Sequence, residues 1–236
     1  MHTTMITSVF LTALLTCVRA QDITTGALGN ATVVDGNPLG VTYVATLPEK
    51  SSSNPNDPRG DVKGVVTAAA GANGVGVKFD VSFSNLPTSG GPFLYHLHVA
   101  PVPADGNCTK TLAHLDPFQR GEDVPCDMKY PETCQVGDNS GKHGKITSDP
   151  FTASYTDDFV ATRFGLGSFF GNRSFVIHFA NKTRISCANF TMVTANSTGG
   201  GNGTSTGTPP QFTGGVTKNA ASAGVAMAAA AFALML

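Results

Sequence analysis

This 236-residue chain has no Trp, and only 13% of it is charged. Its 15 Lys and Arg against 16 Asp and Glu leave a net charge of −1, and no basic run occurs. The electrostatic footprint of a nucleic-acid binder is therefore missing. No segment shows a convincing amphipathic helical period, and no apolar run reaches the roughly 20 residues that a spanning helix needs. No internal repeat is found. What is present is 27 Gly and 14 Pro spaced between short apolar segments, a composition that suits a sheet protein with tight turns.

The two ends do not read as fold. Thr7 to Val18 is mostly apolar, and Val18-Arg19-Ala20 puts small residues three and one positions before a cut, the layout of a secretory signal peptide over residues 1–20. At the other end Ala223 to Leu236 is apolar with no Lys or Arg beyond it. Small residues precede it, including Gly214, Gly215, Asn219, Ala220 and Ala221. This is the pattern of a glycolipid (GPI) attachment signal, with Asn219 as the attachment site and 220–236 as the removed propeptide. Residues 194–219, rich in Gly, Ser, Thr and Asn, read as a glycosylated linker. Asn-X-Ser/Thr acceptor sites begin at Asn30, Asn107, Asn172, Asn181, Asn189, Asn196 and Asn202, and they matter only in a secreted chain. Residues 21–193 remain, about 170 residues, enough for one domain with its own core.

Within that domain Val75, Val77, Phe79, Val81 and Phe83 alternate with Gly76, Lys78, Asp80 and Ser82, which predicts a strand over 74–84. Val62 to Ala69 precedes it across a Gly71-Ala72-Asn73-Gly74 turn. Thr42 to Leu47, Phe93 to Val99, Ser174 to Ala180 and Ile185 to Val193 are further strand candidates. The expectation is an all-β fold, a Greek-key antiparallel barrel or sandwich of about eight strands with long loops. Residues 100–150 hold several Pro and Gly and three Cys with little alternation, a loop long enough to imply function or cross-links.

Five His lie outside the signal peptide: His96, His98, His114, His143 and His178. Residues two apart on a strand share a face, so His96 and His98 can chelate one ion while Tyr95 and Leu97 point the other way. His178 sits in the apolar run Phe175 to Phe179, where a neutral imidazole needs a hydrogen bond or an ion. His143 reads as a hydrogen-bonded structural or surface residue. Cys17 leaves with the signal peptide, and Cys108, Cys126, Cys134 and Cys187 allow three pairings of two disulfides.

Taken together, His96-Leu97-His98, Gly106-Asn107-Cys108, His114-Leu115-Asp116-Pro117, and His178 followed by Thr183-Arg184-Ile185-Ser186-Cys187 resemble the copper/zinc superoxide dismutase family over roughly residues 60–193. The resemblance implies copper, one per chain, on His96, His98, His114 and His178, with Arg184 guiding the anion and His114 carrying a proton. It also implies Cys108 bonded to Cys187, which leaves Cys126 with Cys134. A competing reading puts Cys126 and Cys134 into a new metal site with His114 and Asp138.

The chain departs from that family where zinc would sit. No His lies between His114 and Asp138, Val136-Gly137-Asp138 keeps the family's Asp, and Gln135 stands where a zinc-binding His would be. Two zinc ligands are missing, so no zinc is expected. The loop between the last copper His and the Arg is only Phe179 to Thr183. Both losses, and the run Gly141-Lys142-His143-Gly144, are similar to the copper-only superoxide dismutases of fungi, which are extracellular and often glycolipid-anchored. Those relatives commonly carry Glu where this chain has Gln135, so the orientation of His114 is expected to rest on Asp138. The resemblance implies a superoxide dismutase at the cell surface or cell wall, with superoxide as substrate and no need of a partner subunit, hence a monomer. The alternative is a cell-wall copper-binding protein with little turnover, which would not need Arg184.

Overall fold

The computed structural model describes residues 25–51 and 56–194. The expected signal peptide, the linker beyond 194 with Asn196, Asn202 and Asn219, and the 220–236 tail lie outside the described residues. Among the described residues no helix is long and apolar enough to cross a membrane.

Among the described residues eight strands form two antiparallel sheets. β1 (Val41–Thr46), β2 (Lys63–Ala70), β3 (Val77–Ser84), β5 (Phe151–Asp157) and β8 (Thr191–Thr194) make one sheet in the order β5-β3-β2-β1-β8. β4 (Leu94–His98), β6 (Ser174–His178) and β7 (Arg184–Asn189) make the other, in the order β4-β6-β7. The expected all-β sandwich of about eight strands is what forms. The alternation in β3 works as the period-two argument requires: Val77, Phe79, Val81 and Phe83 are buried while Lys78, Asp80 and Ser82 face water. Against them pack Tyr95, Leu97, Phe175 and Ile177 from the smaller sheet, with Phe170 between. Fully burying a side chain of this kind contributes about 1.5–3 kcal/mol.

Three expected boundaries are corrected. β3 starts at Val77 rather than 74, because Gly76 takes a left-handed turn (φ 59°) and leaves Val75 40% exposed. The apolar run Ile185 to Val193 is not one strand: it breaks at Phe190, and β7 and β8 go to different sheets. β6 ends at His178, two residues early, because Phe179–Thr183 forms a tight turn in which the Phe179 amide donates to the Thr183 carbonyl at 2.9 Å.

The long loop is irregular, as expected, with 3-10 turns at Cys108–Thr111 and Pro131–Thr133 and one short helix, α1 (Asn139–His143). It covers the outer face of β4, which explains why that strand buries both faces. Residues 111–115 run antiparallel to β4: Leu115 donates to the Leu97 carbonyl at 2.8 Å and Val99 to that of Ala113 at 3.0 Å.

Candidate metal centre

His96 and His98 occupy the β4 face turned away from the core, while Tyr95 and Leu97 face inward. His178 stands opposite Leu94 in the β4–β6 register and so shares the face of the His-X-His pair. The antiparallel 111–115 segment sets His114 directly beside His98. The four rings converge. One nitrogen from each of His96, His98, His114 and His178 lies within 4.8 Å of the others.

The hydrogen bonds decide which nitrogens are available. A carbonyl oxygen only accepts, so a ring nitrogen facing one must carry the proton. His98 Nδ1–H donates to the Leu112 carbonyl at 2.9 Å, and His178 Nδ1–H to that of Lys182 at 2.9 Å. His114 Nδ1–H donates to Gln135 Oε1 at 2.7 Å. His96 Nε2 faces the Asp138 carboxylate at 3.3 Å and the Ser140 hydroxyl at 3.1 Å, while its Nδ1 is buried with no partner among the described residues. Bare lone pairs remain on His96 Nδ1 and on Nε2 of the other three rings. Two of these, on His98 and His178, face each other at 3.1 Å, where a shared cation relieves their repulsion. These donors fit a metal ion that prefers imidazole.

Burial, reinforced by the neighbouring rings, holds His98 down at about 2 and His178 at about 3. Burial and His96 also lower His114, partly offset by its bond to Gln135. These rings therefore stay neutral at ordinary pH, as ligation requires. Burial alone would raise Asp138, but His96 and the Gly141 amide outweigh it and hold the carboxyl at about 2.

The expected role of Asp138 is corrected here. It serves His96 and caps α1 through the Gly141 amide at 2.7 Å, whereas Gln135 holds His114. Gln135 Nε2 in turn donates to Asp116 Oδ2 at 3.1 Å, so the amide is fixed from both ends.

Arg184 pairs with His178 in the β6–β7 register, and its guanidinium donates to the carbonyls of Thr109, at 3.3 Å, and Leu112. Cys108 is joined to Cys187 and Cys126 to Cys134, so the last two offer no thiolate to a metal. His143 lies apart from the four rings and bonds Asp157. Asn30, Asn107, Asn181 and Asn189 are exposed, and Asn172 is half-buried.

Sequence reasoning missed Glu122 and Lys182. They form an ion pair at 3.1 Å across an open cleft of about 740 Å³ that His96 and His114 also line. Glu122 Oε1 comes within 3.6 Å of His114 Nδ1. Sixty residues separate the pair along the chain, and nothing in the sequence couples them.

Four converging imidazoles on the outer face of an antiparallel sandwich are the arrangement that the resemblance to the copper/zinc superoxide dismutase class leads one to expect. No family model matches the chain. It is similar to the "Cell surface Cu-only superoxide dismutase" of Arthroderma benhamiae, 42% identical over 185 residues, covering 66% of this chain and 48% of that protein. It is also similar to "Cell surface Cu-only superoxide dismutase 5" of Candida albicans, 31% identical over 186 residues, covering 79% of this chain and 72% of the relative. The solved copper(II) structure of Candida albicans superoxide dismutase 5 matches with a TM-score of 0.57 and 32% identity, over 70% of this chain and 97% of that one. The chain belongs to the fungal cell-surface copper-only superoxide dismutase family. It spans about half the length of the first of these relatives.

Proposed function

We propose that this chain binds one copper ion and no zinc, and dismutates superoxide to dioxygen and hydrogen peroxide outside the cell. The observation that carries this reading is the convergence of one nitrogen from each of four imidazoles within 4.8 Å, with Arg184 opposite His178 and sharing the Leu112 carbonyl with His98. His96 Nδ1 and Nε2 of His98, His114 and His178 would hold the copper, which supplies reversible one-electron chemistry.

The chain's own groups supply the rest. The permanently charged Arg184 attracts the anion and, being tied to the Thr109 and Leu112 carbonyls, presents its charge at a fixed place. Two superoxide ions and two protons give one dioxygen and one hydrogen peroxide. Because Gln135 fixes the resting proton of His114 on Nδ1, Nε2 is the atom that would either face the ion or, when free of it, take up and pass on a proton as the transient imidazolium. The cleft is open, so water reaches the ring. A second site for zinc beside His114 lacks donors: Gln135 caps the outer nitrogen of His114, and Asp138 is spent on His96, Ser140 and Gly141.

The same reading places the protein at the cell surface, as the relatives' names do for them. The signal peptide, the Asn219 lipid anchor, the glycosylated linker, cell-wall attachment and a monomeric state complete it, and the sequence patterns at the two ends support it. Superoxide dismutation by the secreted, copper-supplied full chain, with metal analysis of the same sample, is the test. One copper, no zinc and catalysis lost in His178→Ala are expected. A chain that holds copper without turnover would instead be a copper store.

A further inference from the structure

A buried charged cluster lies behind the imidazoles, and no step above uses it. Lys142 and Asp157 form an ion pair with both side chains 0% exposed. His143 Nε2 also reaches Asp157 Oδ2, at 2.9 Å, and its ring stacks on Tyr155 with centroids 4.0 Å apart. Asp157 Oδ1 accepts from the Phe159 amide at 3.0 Å. The cluster joins α1 to β5, a strand of the opposite sheet. Taking such a pair out of water costs several kcal/mol per ion, so stability alone is a poor reason for it.

Its remaining contact points to another role. Lys142 Nζ donates to the Val136 carbonyl at 2.8 Å. Val136 lies between Gln135, which holds His114, and Gly137, which is woven into the ligand strands. Gly137 accepts from the Leu97 amide at 2.9 Å and donates to the Leu115 carbonyl at 2.7 Å. Leu97 sits between His96 and His98, and Leu115 follows His114. A Cβ on Gly137 would fall 2.4 Å from the Leu97 carbonyl oxygen, so the segment fits with no slack. Asp138, next in the chain, faces His96.

We infer that Lys142, Asp157 and His143 are positioning residues: they peg the 135–138 segment to β5 and so set the aim of His114 and His96 without a second metal. The inference rests on the copper reading for its effect on the ion. Groups that orient metal ligands typically change metal affinity or activity by about 10–100-fold when removed.

The double variant Lys142→Met/Asp157→Leu tests it, because exchanging a buried ion pair for apolar residues of similar volume commonly leaves a protein folded. In the full chain it should keep the wild-type thermal midpoint or exceed it. Copper affinity, by chelator competition, should fall about tenfold or more, with an altered Cu(II) electron paramagnetic resonance spectrum. In the metal-free protein, the Leu97 and Gly137 amides should exchange hydrogen faster. His143→Ala should shift the same readings, and His143→Gln, which can still donate to Asp157, should restore them.

A folded double variant with wild-type spectrum, affinity and exchange overturns the inference. Should that variant fail to fold, His143→Ala decides: wild-type readings, or a change that His143→Gln does not reverse, overturn it. A wild-type chain that takes no copper would defeat the copper reading instead, and exchange in the metal-free protein would still decide the positioning role.

Discussion

His98 and Arg184 share one acceptor: the Leu112 carbonyl takes the His98 Nδ1–H at 2.9 Å and a guanidinium N–H of Arg184. Leu112 holds this pose at φ 63°, a region that a leucine rarely adopts. The guanidinium proposed to draw in the anion is thus tied to the same carbonyl that orients the His98 ring.

Replacing Arg184 should therefore do two things. Arg184→Ile is expected to lower kcat/KM for superoxide by about tenfold or more and flatten its salt dependence, as loss of steering does. It should also perturb the copper spectrum through His98, whereas loss of steering alone would leave the spectrum unchanged. Arg184→Lys should keep the salt dependence but not the spectrum, since an ammonium cannot span the Thr109 and Leu112 carbonyls as the guanidinium does. Stopped-flow kinetics at several salt concentrations, paired with spectra, separate the two effects.

Installing Glu at position 135 should be costly in this chain. The Gln135 amide donates to Asp116 Oδ2 at 3.1 Å, and a carboxylate there would face a second carboxylate. Gln135→Glu is expected to lower the thermal midpoint above about pH 5, and Asp116→Asn in the same chain to restore it. Gln135→Leu removes the acceptor for His114 Nδ1 and should weaken copper binding about tenfold or more. Equal midpoints for Gln135→Glu and wild type would show that the Asp116 contact carries no weight.

Acid should destabilise the metal-free protein through its ligand rings. In the unfolded chain His98 and His178 take up protons near pH 6.5, but folded they hold out to about 2 and about 3. The unfolded state then binds more protons, so stability is complete above about pH 6.5 and falls as pH drops towards 3. Denaturant midpoints of the metal-free chain should decline from pH 7 to pH 5. In His98→Ala/His178→Ala the decline should be shallower, and an equal slope would contradict the account.

The disulfides differ in what they constrain. Cys108–Cys187 closes a span of 79 residues and Cys126–Cys134 one of 8. Chain-entropy reasoning gives about 4.5 kcal/mol for the first and about 2.5 for the second. Cys108→Ser/Cys187→Ser should also disturb the turn that carries Thr109 and Leu112, and with it Arg184 and His98. Cys126→Ser/Cys134→Ser should loosen the loop that carries Glu122. Denaturant unfolding ranks the two, and a larger loss from the second pair would reverse this ordering.

His96 and His98 were legible as a pair because the strand period puts them on one face, and His178 because its apolar setting demands a partner, whereas His114 and the grouping of all four came only from the family resemblance. β5 was not read, although Phe151, Ala153 and Tyr155 alternate with Thr152, Ser154 and Thr156. Asp149-Pro150 just before it has the look of a turn, and its outward residues carry no charge. The split at Phe190 was hidden because an apolar run does not say which of two sheets it joins. Lys142 and Asp157 lie 15 residues apart, one in the short helix α1 and one closing β5, and no spacing rule pairs such positions. Gln135 was placed near His114 by the resemblance, but its lost charge made Asp138 look the stronger anchor, and only the fold shows the neutral amide oxygen accepting the His114 proton.

The turn after β6 carries a constraint that its surface position conceals. Phe179 to Thr183 reverses the chain, and within it the Lys182 carbonyl receives the His178 Nδ1 proton. Loops at a protein's rim usually accept extra residues at small entropic cost. Here the five residues that reverse the chain also carry that acceptor, so lengthening the hairpin would leave the reversal intact and set the His178 ring spinning loose.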